Sequence, residues 1–241
     1  MTRVVISQPM YLPWAGFLAQ MALADVYIWL DDAQFSKGSF TNRVQVKTDA
    51  GMKWLSIALE GKGSHRAIHD LAPAKADWHQ AHRALLLQAL RDRPHAKAVL
   101  DLFDGLPFDA ALVETLIASA EAPAAKLDVL PARRLRSSKM GVDGRSWDRV
   151  LRLVQAVGGT EYITGHGALS YLDHETFEAA GIAVSYMDYA PRPWPQSPAP
   201  FTPYVTCLDL LASLPAEEAA THLCPATLGW RQFKDRKETG L

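Results

Sequence analysis

Two short runs of β-branched and aromatic residues near the start of the chain, Val4-Val5-Ile6 and Val26-Tyr27-Ile28-Trp29-Leu30, constrain the fold most. The first has no polar alternation, which suits a strand covered on both faces. Pro9 and Pro13 forbid its continuation and Gly16 lets the chain turn. Phe17, Leu18, Met21 and Ala22 then recur at helical spacing before the second run ends at Asp31-Asp32. A β-loop-α-β opening favours a parallel sheet with ligands at the carboxyl ends of its strands. Both early polar clusters, Gln8 to Tyr11 and Asp31 to Gln34, fall at those ends.

Farther on, Arg43 to Lys47 and Lys53 to Ala58 alternate as a hairpin turning at Asp49-Ala50-Gly51, and Glu60 to Ser64 reads as a flexible loop. Amphipathic helices follow over 77–91, 96–103 and 109–122, the last stopping before Pro123. Val129 to Leu135 returns to the sheet and meets the turn Arg136-Ser137-Ser138-Lys139. Ser146 reads as the N-cap of a helix closed by Gly158-Gly159. Thr160 to Thr164, the glycine-flanked His166, a helix from Asp173 to Ala180 and a strand from Ile182 to Tyr186 repeat the logic of the N-terminus. The proline-rich stretch 191–203 cannot be regular; two short helices follow it, and the charged tail from Arg231 is expected to fray. The expected fold is therefore α/β, a mostly parallel sheet flanked by helices, with a β-hairpin and a helical insertion or cap over about 76–125. We expect one domain over 1–241.

At 241 residues with a net charge of −1, the chain can bury a sizeable core and lacks the basic excess of a broad nucleic-acid surface. Cys207 and Cys224 make neither a disulfide framework nor a zinc spacing. Without a signal-like N-terminus or a run long enough to span a bilayer, the expected location is cytoplasmic.

The candidate site residues gather around the strand ends. Gln8, Tyr11 and Trp14 offer an amide and aromatic walls; Asp31 is a candidate general base, and Asp32 and Gln34 are ligand contacts. Lys37, Asn42, Arg43 and Lys47 form a cationic, amide-bearing segment suited to phosphate or carboxylate, although no Walker or GxGxxG pattern is present. Ser137 and Ser138, lacking a G-x-S-x-G elbow, read as hydrogen-bond donors to a ligand or as turn residues. His82 is a candidate acid-base group, or else a core histidine beside Trp78. His166 stands between Gly165 and Gly167, where the backbone can approach a ligand closely. His65 and His69, or His79 and His82, have metal-ligand spacing but no third ligand, so no metal is expected.

The strings ISQPMYLPWAGF, LADVYIWLDDAQFSKGSFTNRVQVK and KWLSIAL, with Trp78 to His82, Ser137-Ser138, TEYITGHGALSYLD and PWPQSPAPFTPYVTCLDLL, closely resemble the WbqC-like family. Its members are encoded among bacterial O-antigen and other polysaccharide biosynthesis genes. The resemblance covers nearly the whole chain. It implies a transferase moving an acyl or aminoacyl group to the amine of a nucleotide-linked amino sugar. The implied donor is a thioester of coenzyme A or of a carrier protein's phosphopantetheine, which makes an acyl carrier protein a partner. Nucleotidyl transfer and a non-catalytic scaffold in a polysaccharide pathway are the alternatives. The first would show nucleoside triphosphate binding; the second would tolerate alanine at every polar pocket residue.

Overall fold

The computed structural model describes residues 1–63 and 65–239. Its centre is strand β1 (Arg3–Ser7), whose three middle residues are buried. Helix α1 (Ala15–Ala22) connects it to β2 (Val26–Trp29), which lies parallel beside it with Val4 opposite Val26 and Ser7 opposite Trp29. The two polar strand ends are thus neighbours, as the opening β-loop-α-β pattern requires.

The hairpin β3 (Arg43–Thr48) and β4 (Gly51–Ser56) forms a separate two-stranded sheet. Helices α2 (Trp78–Leu90), α3 (Ala96–Asp104) and α4 (Leu112–Lys126) follow it. The last runs through Pro123, correcting the expected stop. Pro123 removes one hydrogen bond near the helix end, and the stripe of Leu112, Leu116, Ala120 and Ala124 stays buried across it. The chain then returns as β5 (Arg133–Arg136), parallel to β2, and crosses back through α5 (Ser146–Ala156) to β6 (Glu161–Thr164), which pairs with the other edge of β1. Arg145, not Ser146, precedes α5, and no side chain caps it.

Helix α6 (His174–Ala179), capped by the Asp173 carboxylate accepting from the Thr176 amide, leads to β7 (Ala183–Met187), parallel to β6. After the proline-rich segment come α7 (Cys207–Ser213) and α8 (Ala216–Ala220). Up to Thr239 the tail does not fray as expected, and Gly240 and Leu241 lie outside the described residues. Strand β8 (Thr227–Gly229) adds antiparallel to β7, and α9 (Trp230–Thr239) buries Phe233. The six-stranded order is β5-β2-β1-β6-β7-β8.

Alternation along the strands divides the core. Val5, Tyr27, Trp29, Ile163 and Met187 face a layer that includes α1–α4 and α7. Val4, Ile6, Val26, Ile28, Tyr162 and Tyr186 face α5, α6 and α9. Successive connections run outward from β1 to β2 and β5, then outward again from β6 to β7. The junction of β1 and β6 is therefore a topological switch point, where diverging loops leave a crevice beyond the strand ends. No helix is long and apolar enough to cross a membrane among the described residues.

Candidate functional site

A cleft of about 560 Å³ occupies that crevice. Ser7 and Gln8 enter it from the end of β1, Gly165 and His166 from the end of β6, and Met187 and Tyr189 from the end of β7. Helix α1 contributes Gly16, Phe17 and Gln20, and the proline-rich segment closes one side with Pro191 and Pro203. Among the described residues the lining includes no lysine, arginine, aspartate or glutamate.

Trp14 forms the aromatic wall, its ring edge-on to Tyr189 at 5.3 Å and tilted toward Tyr204 at 5.8 Å. Gly16 makes this pose possible, because a Cβ there would sit 2.3 Å from the indole. On the floor, the Ser7 hydroxyl donates to Gln20 Oε1 at 3.2 Å, and Gln20 is only 8% exposed. The Tyr189 hydroxyl is buried without a hydrogen-bond partner among the described residues. Burial pushes that phenol up to about 12, with lesser contributions from Cys224 and Tyr204, so it keeps its proton at neutral pH.

His166 rests on Phe233, and its Nε2 lies 2.8 Å from the Met187 carbonyl. A carbonyl only accepts, so Nε2 carries the hydrogen, and in the neutral ring Nδ1 holds the lone pair. The loop of Gly165 and Gly167 has open space where side chains would stand, leaving its backbone approachable.

Of the residues expected from sequence, Gln8, Trp14, Gly165 and His166 meet in this cleft. Tyr11 and His82 do not: both are buried, with Tyr11 Oη 3.0 Å from His82 Nδ1 and Trp78 packed against both rings. Burial lowers the His82 pKa to about 4, against the opposing effect of the Ser56 backbone, so its ring is neutral at ordinary pH.

Asp31, Asp32, Ser137 and Ser138 form a clasp joining the ends of β2 and β5. The fully buried Asp31 carboxylate accepts from Arg136 Nε at 2.7 Å and from the Ser138 amide and hydroxyl at 3.0 and 2.7 Å. Asp32 accepts from Ser137 Oγ at 2.6 Å and from the Arg149 guanidinium at 3.0 Å. Burial favours the neutral acid at both positions, yet these hydrogen bonds and ion pairs outweigh it and hold both carboxyls below their ordinary pKa. A carboxylate with its acceptor sites filled and its proton affinity lowered fastens two strand ends and makes a poor base.

The cationic segment does not converge on one anion position. Arg43 bonds the Gly38 carbonyl and lies 4.5 Å over the Trp54 ring, while Asn42 bonds the Ile57 carbonyl at 2.8 Å. Lys37 and Gln34 are exposed outside the cleft lining. Lys47 is 6% exposed and bonds Gln196 Oε1 at 3.1 Å and the Pro200 carbonyl. Gln196 and Trp194 both donate to Asp209, which pairs with Arg93 at 3.2 Å. This buried knot sets the proline-rich segment that walls the cleft. Among the described residues no cluster of His, Cys, Asp or Glu could hold a metal ion.

Sequence reasoning missed Ser7, Gln20 and Tyr204. Gln20 left a signal, a lone amide inside the otherwise apolar run AGFLAQMALA, three residues after Phe17 and so on its face. Tyr204 left none, because only the fold brings the end of the proline-rich segment beside α1.

No solved structure gives a significant match to the chain. A Mycobacterium tuberculosis (strain ATCC 25618 / H37Rv) protein, "Uncharacterized protein Rv1507c", is 30% identical over 233 residues, covering 90% of this chain and 96% of that protein. The WbqC-like protein family matches residues 8–221, a span from the first cleft residues past the helices that follow the proline-rich wall; the chain belongs to the WbqC-like protein family.

Proposed function

We propose that the protein is a transferase of polysaccharide-related biosynthesis, moving an acyl or aminoacyl group from a thioester to the amine of a nucleotide-linked amino sugar. Family membership supports the polysaccharide-related role. The observation that carries the chemistry is His166, which stands in the switch-point cleft with Nε2 committed to Met187 and Nδ1 as the lone-pair atom. In this reading the amine attacks the thioester carbonyl and Nδ1 takes its proton. The C–S bond then breaks, and the imidazolium returns the proton to the departing thiolate. Backbone N–H groups of the open Gly165–Gly167 loop stabilise the intermediate oxyanion. Trp14 and the tyrosines exclude water from the thioester. The donor is a coenzyme A or carrier-protein thioester. Asp31 and His82 serve as supports here, not as bases, because their lone pairs are already engaged.

The test is to incubate the full chain with amine-bearing sugar nucleotides and acyl thioesters of coenzyme A and of phosphopantetheinylated carrier protein, and to read product masses. An acylated sugar nucleotide is expected, with His166→Gln lowering turnover about a hundredfold, as for loss of a positioned base. No acylated product across the panel, or a His166→Gln protein as fast as the parent, would overturn the assignment.

A further inference from the structure

Among the described residues the cleft carries no side chain of fixed charge: its polar residues are Ser7, Gln8, Gln20, Tyr189, Tyr204 and His166. A phosphate placed among them would lose its hydration with no lysine or arginine to replace it, and a protonated amine would find no carboxylate. The group that fits is neutral. It also has to be polar, since a purely apolar chain would leave the Gln20 N–H donors, which Ser7 does not use, facing hydrocarbon. These groups come from different elements, Ser7 and Gln8 from the end of β1, Gln20 from α1 and His166 from beyond β6, so they surround a ligand. The edge of one planar base would meet few of them. Hydroxyls set around a puckered ring match that distribution, and Trp14 offers the apolar wall such a ring packs against.

We infer that the cleft takes an uncharged, hydroxylated sugar ring, that Gln8 and Gln20 are its specificity-determining contacts, and that the charged part of the ligand stays outside. This rests on the transferase reading above for the identity of the sugar's carrier, but not for the ring site itself. It also explains how the acceptor amine arrives unprotonated, since a site without carboxylates favours the neutral, nucleophilic form.

The experiment is saturation-transfer NMR on the full chain with methyl N-acetylglucosaminide as the neutral probe and uridine diphosphate as the charged one. Ring protons of the glycoside should receive saturation from the protein. Gln8→Leu and Gln20→Leu should each weaken its binding about three- to tenfold, the loss expected for one neutral hydrogen bond. Gln8 is only partly buried, so the unfolding midpoint of Gln8→Leu should match the parent's and show that the weakening is local. No saturation transfer up to about 10 mM glycoside, beyond the millimolar end of the affinity scale, would overturn the inference. So would uridine diphosphate displacing the glycoside from the cleft. Glycoside binding without acyl transfer would sink the transferase reading alone; transfer with a sugar-nucleotide KM unchanged in both variants would sink the ring site alone.

Discussion

Three hydrogen bonds converge on the Asp31 carboxylate, one from Arg136 and two from Ser138, at a position with no solvent exposure. Asp31→Asn keeps the volume but removes the charge facing Arg136, a guanidinium only 16% exposed, and points an amide donor at other donors. Breaking one half of a buried pair costs about 3 kcal/mol, and urea unfolding should show a loss of that order with an unchanged m-value. A loss below about 0.5 kcal/mol, the range of an ordinary surface change, would mean that the clasp does not fasten β2 to β5. His82 gives a different signature. The unfolded chain takes up this proton near pH 6.5 and the folded protein only near pH 4, so the unfolded state binds more protons between those values. Stability then rises with pH across the window, and acidification from neutral to pH 4 removes about 3 kcal/mol. In His82→Gln the curve of unfolding free energy against pH should flatten over this interval; a curve parallel to the parent's would exclude His82 as its source. The types and places of these residues are legible in the sequence, but their partners are not. Asp31 and Ser138 look like site residues from composition alone, and only the pairing of β2 with β5 shows that they satisfy each other.

At the scale of elements, the cleft depends on α1 being tight enough at its first turn for Trp14 to fold over Gly16. Gly16→Ala places a methyl carbon 2.3 Å from the indole, and the ring has to leave its place beside Tyr189 and Tyr204. Ligand binding should weaken about tenfold, which corresponds to ~1.4 kcal/mol, while the helix itself gains a better helix former. Tryptophan fluorescence and calorimetric titration of the same protein would check the two halves of this expectation; full affinity in the alanine variant would remove the Trp14 wall from the site. The elements themselves were readable where one physical signal dominates. Unbroken apolar runs marked β1 and β2, and helical periodicity marked α2 and α3. Reading failed where tertiary packing overrode a local rule: Pro123 lies inside α4 because the buried stripe continues past it, and the charged tail is helical because Phe233 finds a core. Lys47 was expected at a phosphate and instead orders the proline-rich segment through Gln196 and Pro200, a contact across 149 residues that no local pattern encodes.

For the whole molecule, the last element returns to the site. Helix α9 sets Phe233, 3% exposed, face to face with Tyr186 of β7 at 4.3 Å and against the His166 ring at 4.7 Å. The C-terminal helix therefore fills the core on one face of the sheet and supports the imidazole at the cleft. These two roles separate by substitution. Phe233→Ala removes a buried aromatic ring, costing about 3 to 5 kcal/mol, and should lower the thermal midpoint by several degrees. Phe233→Leu restores most of the buried volume without the ring face, so it should recover most of the stability. Turnover should recover less, because His166 keeps its bond to Met187 but loses the flat surface that limits its tilt. A Leu variant with most of the parental stability and a reduced kcat at unchanged KM is the expected outcome in the acyl-transfer assay. If Phe233→Ala unfolds with the parent's midpoint, α9 is an appendage; if stability and kcat fall in strict proportion across both variants, the helix stabilises the sheet without positioning His166.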